Sequence, residues 1–362
     1  MAALAQDDAP WPAAVAVSGG GDSLALMLLL AEWARSRKKP TPVVLTVDHG
    51  LRTGSARDAD AVVVAAKAAG LQAHTLKWRG PKPKSDLEAA AREVRYRLMG
   101  AWCRRHGTQN LYVAHTLEDQ AETFLLRLAR GSGLDGLAAM QALAPFPVPG
   151  FEGLTVIRPL LGSTRAELRA FLESRGLEWA EDPMNSDPRF ARARLRAAWP
   201  ALDAAGLTAR RIAAASGHLA RARGALDTAT AAFLKDHVRP VADGAVVDGA
   251  ALGELPREVG LRVLAALLGR VSGAAYRPRF ERLERLYGAI LAGELGRGRT
   301  LHGCRIGPAP KRRAVFGGSG LLIAREAGRA PRTGRARAAK GGLTRKGRKG
   351  RDNGSARSER DD

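Results

Sequence analysis

Hydrophobic and polar positions switch between two periods over the first 140 residues. Short β-rich apolar runs at 14–17 and 43–47 end in polar loops, and 71–76 and 111–114 repeat the pattern more weakly. Between them, at 23–36, 57–69, 86–106 and 118–130, apolar positions recur at helical spacing. Alternating strands and helices predict a parallel sheet covered on both faces. Ser85-x-x-Glu88 and Thr116-x-x-Asp119 have capping-box spacing, in which the hydroxyl and the acid bond each other's backbone N–H, and so mark two helix starts.

Beyond residue 140 the pattern changes. The stretch 141–157 is rich in Pro and Gly and predicts a loop or hairpin. Thr164-x-x-Glu167 opens another helix, to about residue 175. Residues 207–237 read as one or two Ala/Arg-rich helices, and 251–292 as helix broken near 272–278. Residues 299–325 alternate weakly, as a small β unit would. The expected class is α/β: a parallel-sheet nucleotide-binding domain over 1–204, a helical region over 205–296 and a small α+β module over 297–326. The last stretch, 327–362, is Gly, Ala, Arg, Lys and Ser with one Leu and no aromatic. It cannot bury enough surface to offset its ordering entropy and is expected to be a disordered basic tail.

Charge adds a partner class. Of 362 residues, 58 are Lys or Arg and 36 Asp or Glu, a net of +22. The tail holds twelve basic and four acidic residues, so the body is basic without it. That balance favours a polyanion such as RNA or DNA, although an Arg-heavy proteome would give the same composition. The longest apolar run, 24–31, is far short of the roughly 20 residues that cross a membrane. The first ten residues lack the basic start of a signal peptide. Two cysteines, Cys103 and Cys304, form no C-x-x-C pair, and the seven His show no H-E-x-x-H spacing. This argues against a zinc ribbon, a Cys-ligated cluster or a thiol relay, and suits a reducing cytoplasm.

The sharpest chemical feature is Ser18-Gly19-Gly20-Gly21-Asp22-Ser23, placed between the first strand and the first helix. Glycines let the backbone turn tightly, and a helix N-terminus presents N–H groups to an anion. No Walker lysine follows, so this is not a P-loop NTPase. Asp22 would repel a phosphate unless a cation such as Mg²⁺ bridged them. Asp48 and His49 sit where the second strand ends, at the ligand edge of an open α/β sheet. Asp119 and Glu122, three apart on a helix, share a face that could bind an ammonium or a metal and accept a proton. Asp119 equally suits a helix cap, and Glu122 a surface pair with Arg127 or Arg130. Arg92, Arg95 and Arg97 suit phosphate or adenylate, or a solvated helix face. Arg192, Arg194 and Arg196 suit an RNA backbone. Gly131-x-Gly133-x-x-Gly136 matches a dinucleotide fingerprint literally but follows a helix, so it fails the context that motif requires. Cys103 reads as a core thiol.

The 18–23 hexapeptide resembles the S-G-G-x-D-S signature of the PP-loop (N-type) ATP pyrophosphatases, which cleave ATP between its α and β phosphates. Further motifs follow in order: Val47-Asp48-His49-Gly50-Leu51-Arg52; Glu88 to Tyr96; His115-Thr-Leu-Glu118-Asp119-Gln120-Ala-Glu122-Thr123; Arg130-Gly131-Ser132-Gly133; Arg158-Pro159-Leu160-Leu161; Glu181-Asp182-Pro183-Met-Asn185; and Arg192, Arg194, Arg196. Over 14–202 this series resembles the tRNA(Ile)-lysidine synthetase family, and 299–326 is similar more weakly. The resemblance implies ATP and Mg²⁺ as cofactors, and free L-lysine and the CAU-anticodon isoleucine tRNA as substrates. The wobble cytidine is adenylated, then lysine displaces AMP, giving lysidine and changing the codon read from AUG to AUA. The ATP site would be 18–23 with His49, and the catalytic set Asp22, Asp48, Asp119 and Glu122. Asp22 and Asp119 would hold the metal. Arg52, Arg92, Arg95, His115, Gly131, Gly133, Arg192, Arg194 and Arg196 would face substrate. The family usually has paired His and paired Asp where this chain has His115-Thr116 and Glu118-Asp119. A related tRNA thiolase, a catalytically inactive tRNA binder and a homodimer are alternatives left open at this point.

Overall fold

The computed structural model describes residues 10–51, 53–83, 86–180, 187, 189–274, 276–310 and 315–326. Arg52, Ser85, the 181–185 motif and the tail from 327 lie outside them. The chain forms two compact units that divide at Thr228.

The first unit holds β1 (Ala13–Ala16), α1 (Gly21–Ser36), β2 (Val43–Asp48), α2 (Ser55–Ala68), β3 (Ala73–Lys77), α3 (Leu87–Arg105), β4 (Asn110–Tyr112), α4 (Leu117–Leu128) and α5 (Leu134–Leu137). Then come β5 (Leu143–Pro145), β6 (Thr155–Ile157), α6 (Arg165–Glu173), α7 (Ala191–Ala197) and α8 (Trp199–Ala204). The sheet order is β3-β2-β1-β4-β6-β5, parallel except for the edge strand β5. The Pro/Gly-rich segment is a hairpin whose second strand extends the sheet beside β4.

Neighbouring strand residues point to opposite faces, and both faces are buried. Val15, Val44, Tyr112 and Ile157 join a core with Leu26 and Leu30 of α1, Val62 of α2, and Leu168 and Leu172 of α6. Ala14, Leu45, Leu111 and Val156 join a second core with Tyr96, Met99, Trp102 and Cys103 of α3. Parallel strands buried on both sides read as continuous apolar runs, which is how these did. The chain leaves β1 toward β2 and β3, then returns to the other side of β1 as β4. The loops after β1 and β4 therefore diverge, which opens a crevice at the carboxyl edge.

The capping boxes at Thr116 and Thr164 both form. At α3 the described cap is Asp86, at φ +53° and without a side-chain cap bond.

The second helical segment is one helix, α9 (Ala209–Asp236), not two. The second unit adds β7 (Val238–Val241), β8 (Gly244–Asp248), α10 (Gly249–Glu254), α11 (Arg257–Ser272), α12 (Phe280–Leu291), β9 (Arg299–Leu301), β10 (Cys304–Pro308) and β11 (Gly320–Arg325). Its antiparallel sheet runs β7-β8-β11-β10-β9. Here the fold departs from the expected regions: β11 pairs with β8, and β8 with β7, and these last two strands lie inside the segment expected to be helical. Val246 and Val247 of β8 are both fully buried, so β8 shows no two-residue alternation to read. Among the described residues no helix is long and apolar enough to cross a membrane.

Leu172 is fully buried in the core where α6 meets α1. Leu172→Ala is expected to remove about 2–5 kcal/mol of stability, read from chemical denaturation; a loss under about 0.5 kcal/mol would show that α6 is not held this way.

Candidate active site at the carboxyl edge of the parallel sheet

Between β1 and α1 the chain turns through Gly19 at φ +90°, a conformation that L side chains rarely adopt. A Cβ on Gly21 would stand 3.3 Å from the ring of Trp179, so a side chain there would press on that ring. Ser23 Oγ accepts the Ser18 N–H at 3.1 Å and donates to the Gly20 carbonyl at 2.8 Å. Ser23 thus shapes the loop from inside. Gly20 caps α1 with no side-chain bond; its carbonyl takes the Ser23 N–H at 3.1 Å, which leaves the Gly21 and Asp22 N–H groups to an anion.

At the end of β2, one oxygen of Asp48 accepts the Ser55 hydroxyl at 2.8 Å and the Gly50 N–H at 3.0 Å. The Ser55 bond leads in holding its carboxyl below the usual range. Asp48 therefore ties β2 to the start of α2. Next to it, His49 Nε2 meets the Arg95 guanidinium at 3.3–3.4 Å, with the ring edge-on to Trp78. Burial first, and the Arg95 charge second, lower His49 to about 4. The ring is neutral at neutral pH, and its Nδ1 is buried without a hydrogen-bond partner.

The centre of the site is Arg165, the first residue of α6. Its Nη2 donates to Asp119 Oδ1 at 2.6 Å, and its Nη1 to Glu122 Oε1 at 3.0 Å. Its Nε lies 3.6 Å from Asp22 Oδ2, and its backbone N–H bonds both oxygens of Glu118 at 3.1 Å. Glu122, only 1% exposed, also accepts Arg196 Nε at 2.8 Å. Asp119 Oδ2 accepts the N–H and hydroxyl of Thr116 at 2.9 and 3.2 Å. Asp119 and Glu122 do share a face, and Asp119 is a helix cap as well. The surface pairing considered for Glu122 does not form, because Arg127 turns to the carbonyls of Gly136 and Ala139.

Electrostatics separate these groups. Burial is the main influence on Asp22 and raises it above the ordinary carboxylate range. Burial would raise Asp119 too, but Arg165 and the Thr116 N–H outweigh it and hold Asp119 low. Burial opposes the Arg165 charge, and Asp119, Glu122 and Asp22 more than restore it.

Sequence reasoning missed Arg165. Its signal was a cation in a helix's first turn, where the macrodipole disfavours positive charge. It also missed Glu118 as the acceptor for the start of α6, and Trp179 behind Gly21.

The remaining candidates scatter. His115 follows β4, its Nδ1 buried and without a partner. Burial lowers it well below the usual range, and Arg158, Arg92 and Arg192 add to this against Asp119. Arg92 lies over the Tyr96 ring at 5.2 Å. Arg97 pairs on the surface with Glu93. The three arginines of α7 differ in their surroundings. Arg196 is held inside by Glu122, Arg192 is half-buried, and the exposed Arg194 bonds the Arg189 carbonyl. Helical side chains two apart do not share a face, whereas those four apart do, so the spacing sets Arg194 apart from Arg192 and Arg196. Gly131, at φ +70°, ends the α4 turn and Gly133 caps α5, confirming a helix-to-helix loop.

A magnesium ion takes one or two carboxylates plus phosphate oxygens. Asp22, whose near cation is 3.6 Å away, fits that role. Asp119 does not in this arrangement, since both its oxygens are engaged. Among the described residues no cluster of three or more His, Cys, Asp or Glu could hold a metal alone.

The PP-loop domain family matches residues 2–201. A tRNA(Ile)-lysidine synthase of Methylobacterium nodulans is 44% identical over 83% of this chain and 91% of its own. One from Ruegeria pomeroyi is 40% identical over 80% and 70%. This chain belongs to the tRNA(Ile)-lysidine synthase family. Among solved structures, a U34-tRNA thiolase from Methanococcus maripaludis superposes with a TM-score of 0.47 at 19% identity, over 58% of this chain and 71% of that one. Where this chain departs from the usual paired residues, Thr116 caps α4 and Glu118 accepts the Arg165 N–H at the start of α6.

A histidine lowered on folding binds fewer protons folded than unfolded. Its stability is complete above about pH 6.5 and falls as pH descends toward the folded value. The melting temperature is therefore expected to fall between pH 7 and pH 4.5, and His115→Gln is expected to flatten that fall. An unchanged slope would assign the titration to other groups.

Proposed function

We propose that this protein joins free L-lysine to the wobble cytidine of the CAU-anticodon isoleucine tRNA, consuming ATP to AMP and pyrophosphate. The observation that carries the proposal is convergence. A phosphate-type loop and a buried carboxylate pair meet in one crevice, in a chain of the lysidine synthase family.

In this reading the 18–23 loop and the α1 N-terminus hold the triphosphate, with His49 and Arg95 on the adenylate side. Mg²⁺ bound at Asp22 would offset charge on the leaving pyrophosphate. Adenylation of the cytidine carbonyl oxygen creates a leaving group. The lysine ε-amine, with an ordinary pKa near 10.4, arrives as an ammonium and must lose a proton before it attacks. Asp119 and Glu122 hold that ammonium, and one of them takes the proton. Asp48 acts on the site indirectly, through the β2 loop that carries His49. The basic body supports a tRNA partner, and the reaction belongs in the cytoplasm with its tRNA.

Thiolation is disfavoured by both cysteines. Cys103 and Cys304 are buried, and burial pushes their thiols up to about 12 and about 11. Reactive thiols need the opposite shift.

Purified protein with ATP, Mg²⁺, labelled lysine and bulk bacterial tRNA is expected to label the tRNA only when ATP is present. Asp22→Ala is expected to lower the rate at least about 100-fold, in the range of losing one transition-state electrostatic partner. Pyrophosphate release without label would keep the adenylation and reject lysine; no pyrophosphate would favour a binding protein.

A further inference from the structure

We propose that Arg165 is an internal stand-in for the lysine ammonium, drawn off Asp119 and Glu122 when a triphosphate occupies the 18–23 loop. The inference rests on the reading of Asp119 and Glu122 as the amine site.

The guanidinium spans two places. Its two terminal nitrogens fill the carboxylate pair at 2.6 and 3.0 Å, which are hydrogen-bonded ion-pair distances. Its Nε faces Asp22, in the first turn of α1 beside the loop, at a looser 3.6 Å. Three carboxylates (Asp22, Asp119, Glu122) and two guanidiniums (Arg165, Arg196) therefore leave a net charge of about −1 in this cluster. While Arg165 lies across Asp119 and Glu122, an incoming ammonium finds its acceptors already taken.

A triphosphate shifts that balance. It places several negative charges beside Asp22, and a guanidinium fork matches phosphate oxygens bidentately. As Arg165 turns toward them, Glu122 keeps only Arg196, and Asp119 keeps the Thr116 donors. Removing one partner of a buried ion pair is strongly unfavourable. A lysine ε-ammonium restores the lost charge. Arg165 is thus a positioning residue that makes lysine binding follow nucleotide binding, so the amine arrives where the cytidine can already be activated.

The test is calorimetric titration of lysine into the full-length protein, with Mg²⁺, in the presence and absence of α,β-methylene-ATP. Wild type is expected to bind lysine at least about tenfold more tightly with the analogue, and lysine should tighten the analogue by the same factor. Arg165→Gln is expected to bind lysine without the analogue as tightly as wild type does with it. Arg165→Lys keeps the charge but not the fork, and is expected to show a reduced coupling. Equal lysine affinity in wild type under both conditions overturns the proposal. So does undiminished coupling in Arg165→Gln, or in Arg165→Lys where the Gln variant does not fold. Glu122→Gln separates the two levels of failure. If it abolishes lysine binding while nucleotide has no effect on wild type, the amine site stands and the stand-in role falls. If it binds lysine like wild type, the amine-site reading itself falls.

Discussion

Burial of Glu122 is the constraint from which the site's organisation follows. A carboxylate removed from water is costly unless charged donors replace the solvent. For Glu122 those donors are Arg165 and Arg196, on two helices that come later in the chain. One buried acid on α4 thereby ties down α6 and α7. The start of α6 is secured twice more, by its own Thr164–Glu167 box and by Glu118 on the Arg165 N–H. Through Leu168 and Leu172, α6 packs into the core that α1 also lines, and α1 carries Asp22 beside the glycine loop. The phosphate loop and the carboxylate pair are therefore held in one frame by side chains that themselves sit in the crevice.

The fold was legible where each element is patterned by its own burial. Strands β1, β2 and β4 are short apolar runs because both of their faces are covered, and the helices between them show their own period. Capping boxes located α4 and α6 because that motif is a local hydrogen-bond exchange, independent of tertiary context. The second unit was harder to read. β8 is buried on both sides, and β7 carries Arg239 and Pro240, so neither shows a strand period. The pairing of β8 with β11 spans more than seventy residues, and such contacts leave no trace in a local pattern.

The site was legible as residues and less so as relationships. The glycine loop, Asp22 and the Asp119–Glu122 face could be read because glycine strain, helix N-termini and i, i+3 spacing are local facts. Arg165 could not be recognised that way. It lies more than forty residues beyond its acid partners, and only the β4-to-β6 and α6 connections bring it back to them. Asp48 shows the converse. It stands at the expected edge, yet its resolved bonds run to Ser55 and Gly50, so its position in the sequence suggested a more direct part than its hydrogen bonds give it.

The carboxylates of the site also differ in what they still lack. Asp119 is satisfied by a hydroxyl, a backbone N–H and a guanidinium, and its acidity is strengthened accordingly. Asp22 is weakened as an acid chiefly by burial, and the Arg165 Nε at 3.6 Å only partly offsets this. A cation entering the crevice gains most beside the carboxylate whose charge is least compensated. That carboxylate is Asp22, and it also lies next to the loop where phosphate charge would gather. The same comparison explains why the two roles considered for Asp119 do not coexist. With Thr116 on one oxygen and Arg165 on the other, Asp119 can exchange one cation for another of similar geometry, such as an ammonium. A magnesium ion would have to compete for that same Oδ1, because Oδ2 carries the cap of α4.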